Sequence, residues 1–380
     1  MIPARFFHSP SAYVQAVERL EPLLACLTVL LFAVAFYLMR HGIARCYRQA
    51  YDIAEAISNR PAARPAVRGT QLPARESGDA GKSADAVNLY SCLEHTGPGS
   101  SRLAKKIKLT VRSFVHHRHT QRWLEYWNLT PAHTALARAT PRLLQKIYRP
   151  YQSLRLRQPE RLEVLISHYD FIFQQGLAPL VLKAAQLQMP VGSFIGKSGD
   201  VYEVRLAAIS SLDREGELAL HLYRDQQHLF STAFTFYKHD VSWCVGIGCL
   251  QGPRGADARE RIRRATRDMF GLRPKALMIR LVREIGHAYG CQRLVLVGNG
   301  NRVVNQPSKA DRVHADYDHF WREIGAARRS DGDYEISCKE IQAAALADLP
   351  SKKRSEARRR ISLAERAVDD VRRALACGRR

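Results

Sequence analysis

None of the eight cysteines stands in a C-x-x-C pair: Cys26, Cys46, Cys92, Cys244, Cys249, Cys291, Cys338 and Cys377 are scattered along the chain. That spacing excludes a zinc ribbon and a disulfide scaffold. The thiols read as reduced, in the cytoplasm. Glycine (23) and proline (17) are ordinary in number and show no period, which excludes collagen-like, mucin-like and repeat architectures. Acidic residues are scarce, with 36 against 59 Lys and Arg and a formal net charge of +23. Hydrophobic residues at 46% supply a core, so the 380-residue chain is not a disordered polycation. Its length fits two or three units of ordinary size, or one large domain.

The excess charge is unevenly spread. Residues 101–160 hold 13 basic against 2 acidic side chains, and residues 351–380 hold 11 against 4. Residues 1–100 are nearly balanced at 10 and 8, as are residues 161–350 at 25 and 22. Anionic partners are therefore expected at two short blocks that flank a near-neutral centre.

Residues 22–39, PLLACLTVLLFAVAFYLM, form an uncharged run of 18. As a helix it would be about 27 Å long at about 1.5 Å per residue, just enough for a hydrocarbon core of about 30 Å. Glu18 and Glu21 precede it and Met39-Arg40-His41 is a poor cleavage site, so an uncleaved transmembrane helix is expected. Arg5 and Arg19 lie before the run, whereas Arg40, Arg45, Arg48 and Arg60 follow it, which places the C-terminal body in the cytoplasm. Residues 59–86 are rich in Pro, Ala, Gly and Ser and read as a flexible tether. The organisation expected is an N-terminal segment (1–48), a linker (49–100), a basic aromatic-rich helical region (101–190), an α+β core (191–349) and a basic C-terminal helix (350–380).

The block at 101–157 mixes Lys105, Lys106, Lys108, Arg112, Arg118 and Arg122 with Phe114, Trp123, Tyr126, Trp127, Tyr148 and Tyr151. Three readings compete. It is a solvated helical face whose aromatics pack on the core, a surface for anionic lipid, or a single-stranded nucleic acid site. Its position after an anchor favours lipid over nucleic acid.

From residue 199 the apolar period becomes two. Residues 202–208, 218–223 and 230–236 alternate, and the polar turn Arg224-Asp225-Gln226-Gln227 joins the last two as an antiparallel hairpin. A strand at 241–250 follows, then helices at 256–270 and 276–289, a strand at 292–298, a helix at 316–324 and a strand at 333–337. The fold class is α+β, with helices on a mixed, largely antiparallel sheet.

These segments resemble the VirK/YbjX family of Gram-negative bacteria. The resemblance is carried by Arg142-Leu143-Leu144 through Tyr148-Arg149-Pro150-Tyr151, by Glu160-Arg161-Leu162 through His168-Tyr169, and by Ile247-Gly248-Cys249-Leu250-Gln251-Gly252-Pro253-Arg254-Gly255. Arg273-Pro274-Lys275-Ala276-Leu277, the run from His314 to Trp321, and Pro350-Ser351-Lys352-Lys353-Arg354 complete it. Membership implies an association with virulence, envelope remodelling and antimicrobial-peptide resistance. With the anchor, it implies the bacterial inner membrane, spanned once. The anchor and tether lie outside the resembling region.

Residues 271–325 are also similar in layout to the second half of a GNAT-type N-acyltransferase. That resemblance implies an acyl-CoA or acyl-carrier thioester as donor, its anionic part held at a helix start. Arg273 and Lys275 are the expected anion contacts, because this loop lacks the glycines of the acyltransferase pattern. Trp321 stands where such enzymes often place a proton-donating tyrosine, and indole cannot do that job. Tyr317, one turn earlier on the same helical face, can.

Among single residues, Arg254 beside Gly255 is a candidate anion contact, and His314 a candidate general base. His314, Asp316 and His319 do not share one helical face, so no metal is expected there, and Asp316 reads as a helix cap. Cys244 and Cys249 read as packing residues. Apolar Ile361, Ala364 and Val368 make the C-terminal helix amphipathic, lying on the body. The leading expectation is an acyltransferase. The alternatives are a non-enzymatic RNA- or anionic-lipid-binding module and a scaffold for envelope enzymes.

Overall fold

The computed structural model describes residues 86–93, 100–208, 212–304, 315–339 and 351–378. All fall in one compact unit, Gly81–Arg380. The expected span at 22–39, all but the last residue of the tether at 59–86, and the candidate base His314 lie outside the described residues. Among the described residues no helix is long and apolar enough to cross a membrane.

Five helices come first: α1 (Ser100–Val115), α2 (His117–Trp127), α3 (Pro131–Ala139), α4 (Gln158–Gln174) and α5 (Ala178–Gln186). A 3-10 segment, Pro141–Tyr148, lies between α3 and α4. The sheet begins with β1 (Met189–Ile195), β2 (Val201–Ala208), β3 (Leu218–Arg224), β4 (Gln227–His239) and β5 (Ser242–Gln251). Helices α6 (Ala258–Asp268) and α7 (Pro274–Ala288), strand β6 (Arg293–Leu296) and helix α8 (Tyr317–Glu323) follow. Strands β7 (Ala327–Arg328) and β8 (Tyr334–Ser337) and the 27-residue helix α9 (Ser351–Cys377) complete the described chain.

The eight strands form one sheet in the order β1-β2-β3-β4-β5-β6-β8-β7. Every pairing is antiparallel except β5 with β6. The fold is thus the expected α+β type with a mixed, mostly antiparallel sheet. The β3–β4 hairpin turns at Asp225 and Gln226, both at positive φ (45° and 65°), the backbone that a two-residue turn between right-twisted strands demands.

Strand β1 was not expected from the sequence, because Pro190 and Gly192 interrupt its pattern. Both are tolerable at a sheet edge. Helix α9 covers that edge: Asp370 Cβ is 3.2 Å from where a Cβ on Gly192 would stand, and the Ser193 amide donates to Asp370. The inward face of α9 is Leu363, Ala364, Ala367, Val368, Val371 and Leu375, all buried. Its apolar spacing therefore does lay it on the body.

The aromatics of the basic block mostly serve the core. Trp123 and Trp127 are fully buried, and Tyr126 and Tyr151 nearly so. Trp127 meets Tyr169 edge-on at 4.6 Å between ring centres, and Phe171 stacks on Phe236 at 4.2 Å. Phe114 alone of the six is exposed. Bases have no exposed platform in the buried four on which to stack.

Candidate functional site at the end of strand β5

The parallel pair β5–β6 is short. Register runs from Cys244 opposite Arg293 to Ile247 opposite Leu296, and the Val297 amide closes it on the Ile247 carbonyl at 3.1 Å. Strand β5 then continues to Gln251 with β4 as its neighbour on one side. On the other side β6 has turned away at Gly298, whose amide bonds Asp333. Gly298 has to be glycine there, since a Cβ would stand 2.1 Å from the Gly332 carbonyl. A β-bulge at Gly248, the extra residue between Ile247 and Cys249, bends β5 at the same level.

That divergence would strand the edge groups of Leu250, and one side chain satisfies both. The Leu250 amide donates to the Tyr317 hydroxyl at 2.7 Å, and the hydroxyl donates to the Leu250 carbonyl at 2.5 Å. Tyr317 is held at the start of α8. Its amide donates to Asn299 Oδ1 at 2.8 Å, and Asp316 caps the helix by accepting from the His319 amide at 3.0 Å. The Arg302 guanidinium lies 3.9 Å above the Tyr317 ring and donates to the Ala315 carbonyl at 3.0 Å. Trp321, fully buried on the same helix, donates its indole N–H to the Val297 carbonyl at 2.8 Å. It pins α8 to β6.

Cys249 Sγ lies 4.0 Å from the Tyr317 hydroxyl. Burial, and next the Glu215 carboxylate, push its thiol up to about 12. Burial likewise raises the Glu215 carboxyl, and burial is what chiefly keeps the Tyr317 phenol protonated. The end of β5 thus gathers a neutral thiol, a raised carboxyl, a protonated phenol and an arginine. Such a set can donate and accept protons without a metal.

The sequence-derived candidates divide. Tyr317 sits in this buried cluster. Arg254 lies in the exposed loop that leads from β5 into α6, and its carbonyl accepts from Arg261 Nη2 at 2.6 Å. With the Gln251 amide oriented to accept, Arg254 Nη2 and Nε lie 2.8 and 3.2 Å from its oxygen. Arg273 and Lys275 open α7, which follows a helix, α6, and not a strand. Arg273 is already in a two-pronged ion pair with Glu323, the last residue of α8. Lys275 stands 3.9 Å over the Phe320 ring. Neither contact brings these two cations to Tyr317 or Arg254. Cys249, read as packing, packs against Leu212 and Ala233 and also faces Tyr317.

Glu215 and Arg302 escaped sequence reasoning altogether, since neither belongs to a periodic element or a motif. So did Ser231, whose Oγ lies 2.7 Å from His221 Nδ1 and 2.6 Å from His228 Nε2. A further buried cluster joins Lys146 to Glu217 at 2.5 Å, with the Tyr169 hydroxyl donating to the same carboxylate. Burial alone would raise Glu217, but Lys146, His168 and these hydrogen bonds outweigh it and hold the carboxyl below its usual range. Among the described residues no group of His, Cys, Asp and Glu is arranged to hold a metal ion.

Comparison with known proteins places the chain in a family. Uncharacterized protein YbjX of Escherichia coli K12 is 27% identical over 264 residues, covering 67% of this chain and 79% of the relative. Membrane protein LapB of Mannheimia haemolytica is 23% identical over 197 residues, covering 51% of this chain and 83% of the relative. Among solved structures, a mutant of a cAMP-binding acyltransferase from Mycobacterium smegmatis aligns over 57% of this chain and 63% of its own. Identity there is 12% and the TM-score 0.26, so that likeness carries no weight for function. The family model described as protein of unknown function (DUF535) matches residues 98–373. The VirK/YbjX resemblance is borne out, and the chain belongs to the DUF535 family.

Proposed function

We propose that the protein is an acyltransferase of GNAT type that binds an acyl thioester at the end of β5 and passes the acyl group to an acceptor of the bacterial envelope. The observation that carries this reading is the divergence of the parallel pair. It leaves the Leu250 amide and carbonyl to a side-chain hydroxyl instead of a strand. An extended amide-bearing chain, such as the arm of an acyl thioester, can take those two groups as an added strand does once it displaces the Tyr317 hydroxyl from them.

The acceptor's lone pair attacks the thioester carbonyl carbon, the C–S bond breaks, and the departing thiolate takes a proton. Tyr317 is the donor in this reading, because its hydroxyl stands at the Leu250 backbone that the thioester arm would engage. Glu215, a carboxyl raised by burial, takes the acceptor's proton, since a base works best when its pKa approaches the working pH. Arg254, at the start of the loop into α6, is the anion contact for the donor. The cytoplasmic face of the inner membrane is where the expected anchor would hold this chemistry.

Thermal unfolding of the purified full-length chain against CoA and acyl-carrier thioesters tests the reading. A ligand that binds only the native state adds about 2.7 kcal/mol at 100 times its dissociation constant, a shift of a few degrees for a domain of this size. A thioester-specific shift that Arg254→Ala weakens is the expected result. A flat panel on chain shown to be folded would overturn the proposal.

A further inference from the structure

Helix α1 carries an apolar stripe that faces solvent. Leu103, Ile107, Val111, Phe114 and Val115 are 44 to 64% exposed, and their spacing puts them on one face of a helix. Another face is seated on the body. Leu109 is buried there, and at its edge, beside Leu103, Thr110 Oγ1 lies 2.8 Å from the Tyr90 hydroxyl. Stepping about 100° per residue, Lys108 borders the stripe on one side and Lys106 on the other. Arg102, Lys105, Lys106 and Lys108 are all exposed. Between Glu94 and Glu125 the sequence has no acidic residue, and it has seven basic ones.

Contiguous exposed apolar surface marks an interaction site, and the charge decides which. RNA would engage the lysines but leave the stripe in water, because these side chains are aliphatic apart from Phe114. An anionic bilayer takes both at once: apolar side chains enter the boundary between headgroups and acyl chains, and lysines meet lipid phosphates. We propose that α1 lies in the plane of an anionic membrane surface, stripe inward, and docks the folded unit against it. The uncharged run at 22–39 is a second, independent feature of the same chain that favours a bilayer. This docking does not depend on the acyl-transfer reading.

The test places a tryptophan reporter in the stripe by Phe114→Trp. Phe114 is exposed, so the core is untouched, and the native tryptophans subtract as a common background. Full-length chain is reconstituted into vesicles of phosphatidylcholine alone or with phosphatidylglycerol. We expect a blue-shifted signal, quenched by brominated acyl chains, in the phosphatidylglycerol vesicles. It should weaken in phosphatidylcholine alone and at high salt. Adding Lys106→Gln and Lys108→Gln, at the two lysines that border the stripe, should shift the docking equilibrium about thirtyfold toward the free state. A reporter still open to aqueous acrylamide on anionic vesicles overturns the proposal. So does equal shielding in detergent and in phosphatidylcholine, which would mean that another part of the chain or a second copy covers the stripe. Shielding that appears only on adding single-stranded RNA also overturns it.

Discussion

The hydroxyl of Tyr317 closes the backbone of Leu250 from both ends, accepting from its amide at 2.7 Å and donating to its carbonyl at 2.5 Å. A side chain thereby does for β5 what a neighbouring strand does elsewhere in the sheet. Removing that hydroxyl leaves two buried backbone groups unpaired, and each such group costs about 1–3 kcal/mol. Tyr317→Phe should lower the unfolding free energy by about 2–6 kcal/mol, seen as a lower urea midpoint with the slope unchanged. An unaltered midpoint would mean that water replaces the hydroxyl without loss.

Gly248 and Gly246 lie two residues apart on β5 and should respond differently to the same change. A Cβ on Gly248 would stand 2.1 Å from the Glu215 carbonyl oxygen, a backbone atom with no freedom to withdraw. On Gly246 it would meet two side chains, the Gln152 amide at 2.2 Å and the Tyr237 ring at 2.8 Å, which can shift where a backbone oxygen cannot. Gly248→Ala should cost about 1–3 kcal/mol or more, and Gly246→Ala less. Equal losses in chemical unfolding would contradict the bulge geometry.

The Lys146–Glu217 pair is buried on both sides, with 2% and 0% of the side chains exposed. Breaking such a pair by removing one partner costs about 3–5 kcal/mol, whereas removing both is often much milder. Lys146→Met should therefore destabilise more than Lys146→Met combined with Glu217→Leu. A double-mutant cycle reads the difference directly, and strict additivity would rule out the coupling.

His168 and His221 both have their pKa lowered to about 4, first by burial. Each is neutral in the folded state and titrates near 6.5 when unfolded. Below 6.5 the unfolded chain therefore binds more protons than the native one, and stability must fall as the pH falls. The loss runs from about pH 6.5 to about 4, at up to about 1.4 kcal/mol per pH unit for each group. His168→Gln should flatten this slope while keeping an acceptor for the Phe236 amide, which now donates to His168 Nδ1 at 3.1 Å. Unfolding free energies measured across that window decide it.

Much of the sheet was legible because strands send successive side chains to opposite faces and so write a period of two into the sequence. The β3–β4 hairpin shows this, with alternating Leu218, Leu220 and Leu222 on one arm and Phe230, Phe234 and Phe236 on the other. Asp316 as a cap was legible for a similar local reason, since its carboxylate serves an amide three residues on. Strand β1 was not, because its residues make sense only once α9 covers the edge. Arg273 and Lys275 look like free cations in one dimension. In the fold one is bound to Glu323, 50 residues away, and the other lies over Phe320.

Local rules acting over a few residues settle composition, charge blocks, element types and family membership, and all of these can be read along the chain. The cluster at the end of β5 belongs to a different order of information. It exists because β6 parts from β5 after Ile247, Gly298 approaches the Gly332 carbonyl too closely for a side chain, and α8 delivers Tyr317 to Leu250 across 67 residues. Hydrogen bonds and close packing between distant segments leave no periodicity behind them, so only the folded chain reveals which hydroxyl, thiol and carboxyl share one end of a strand.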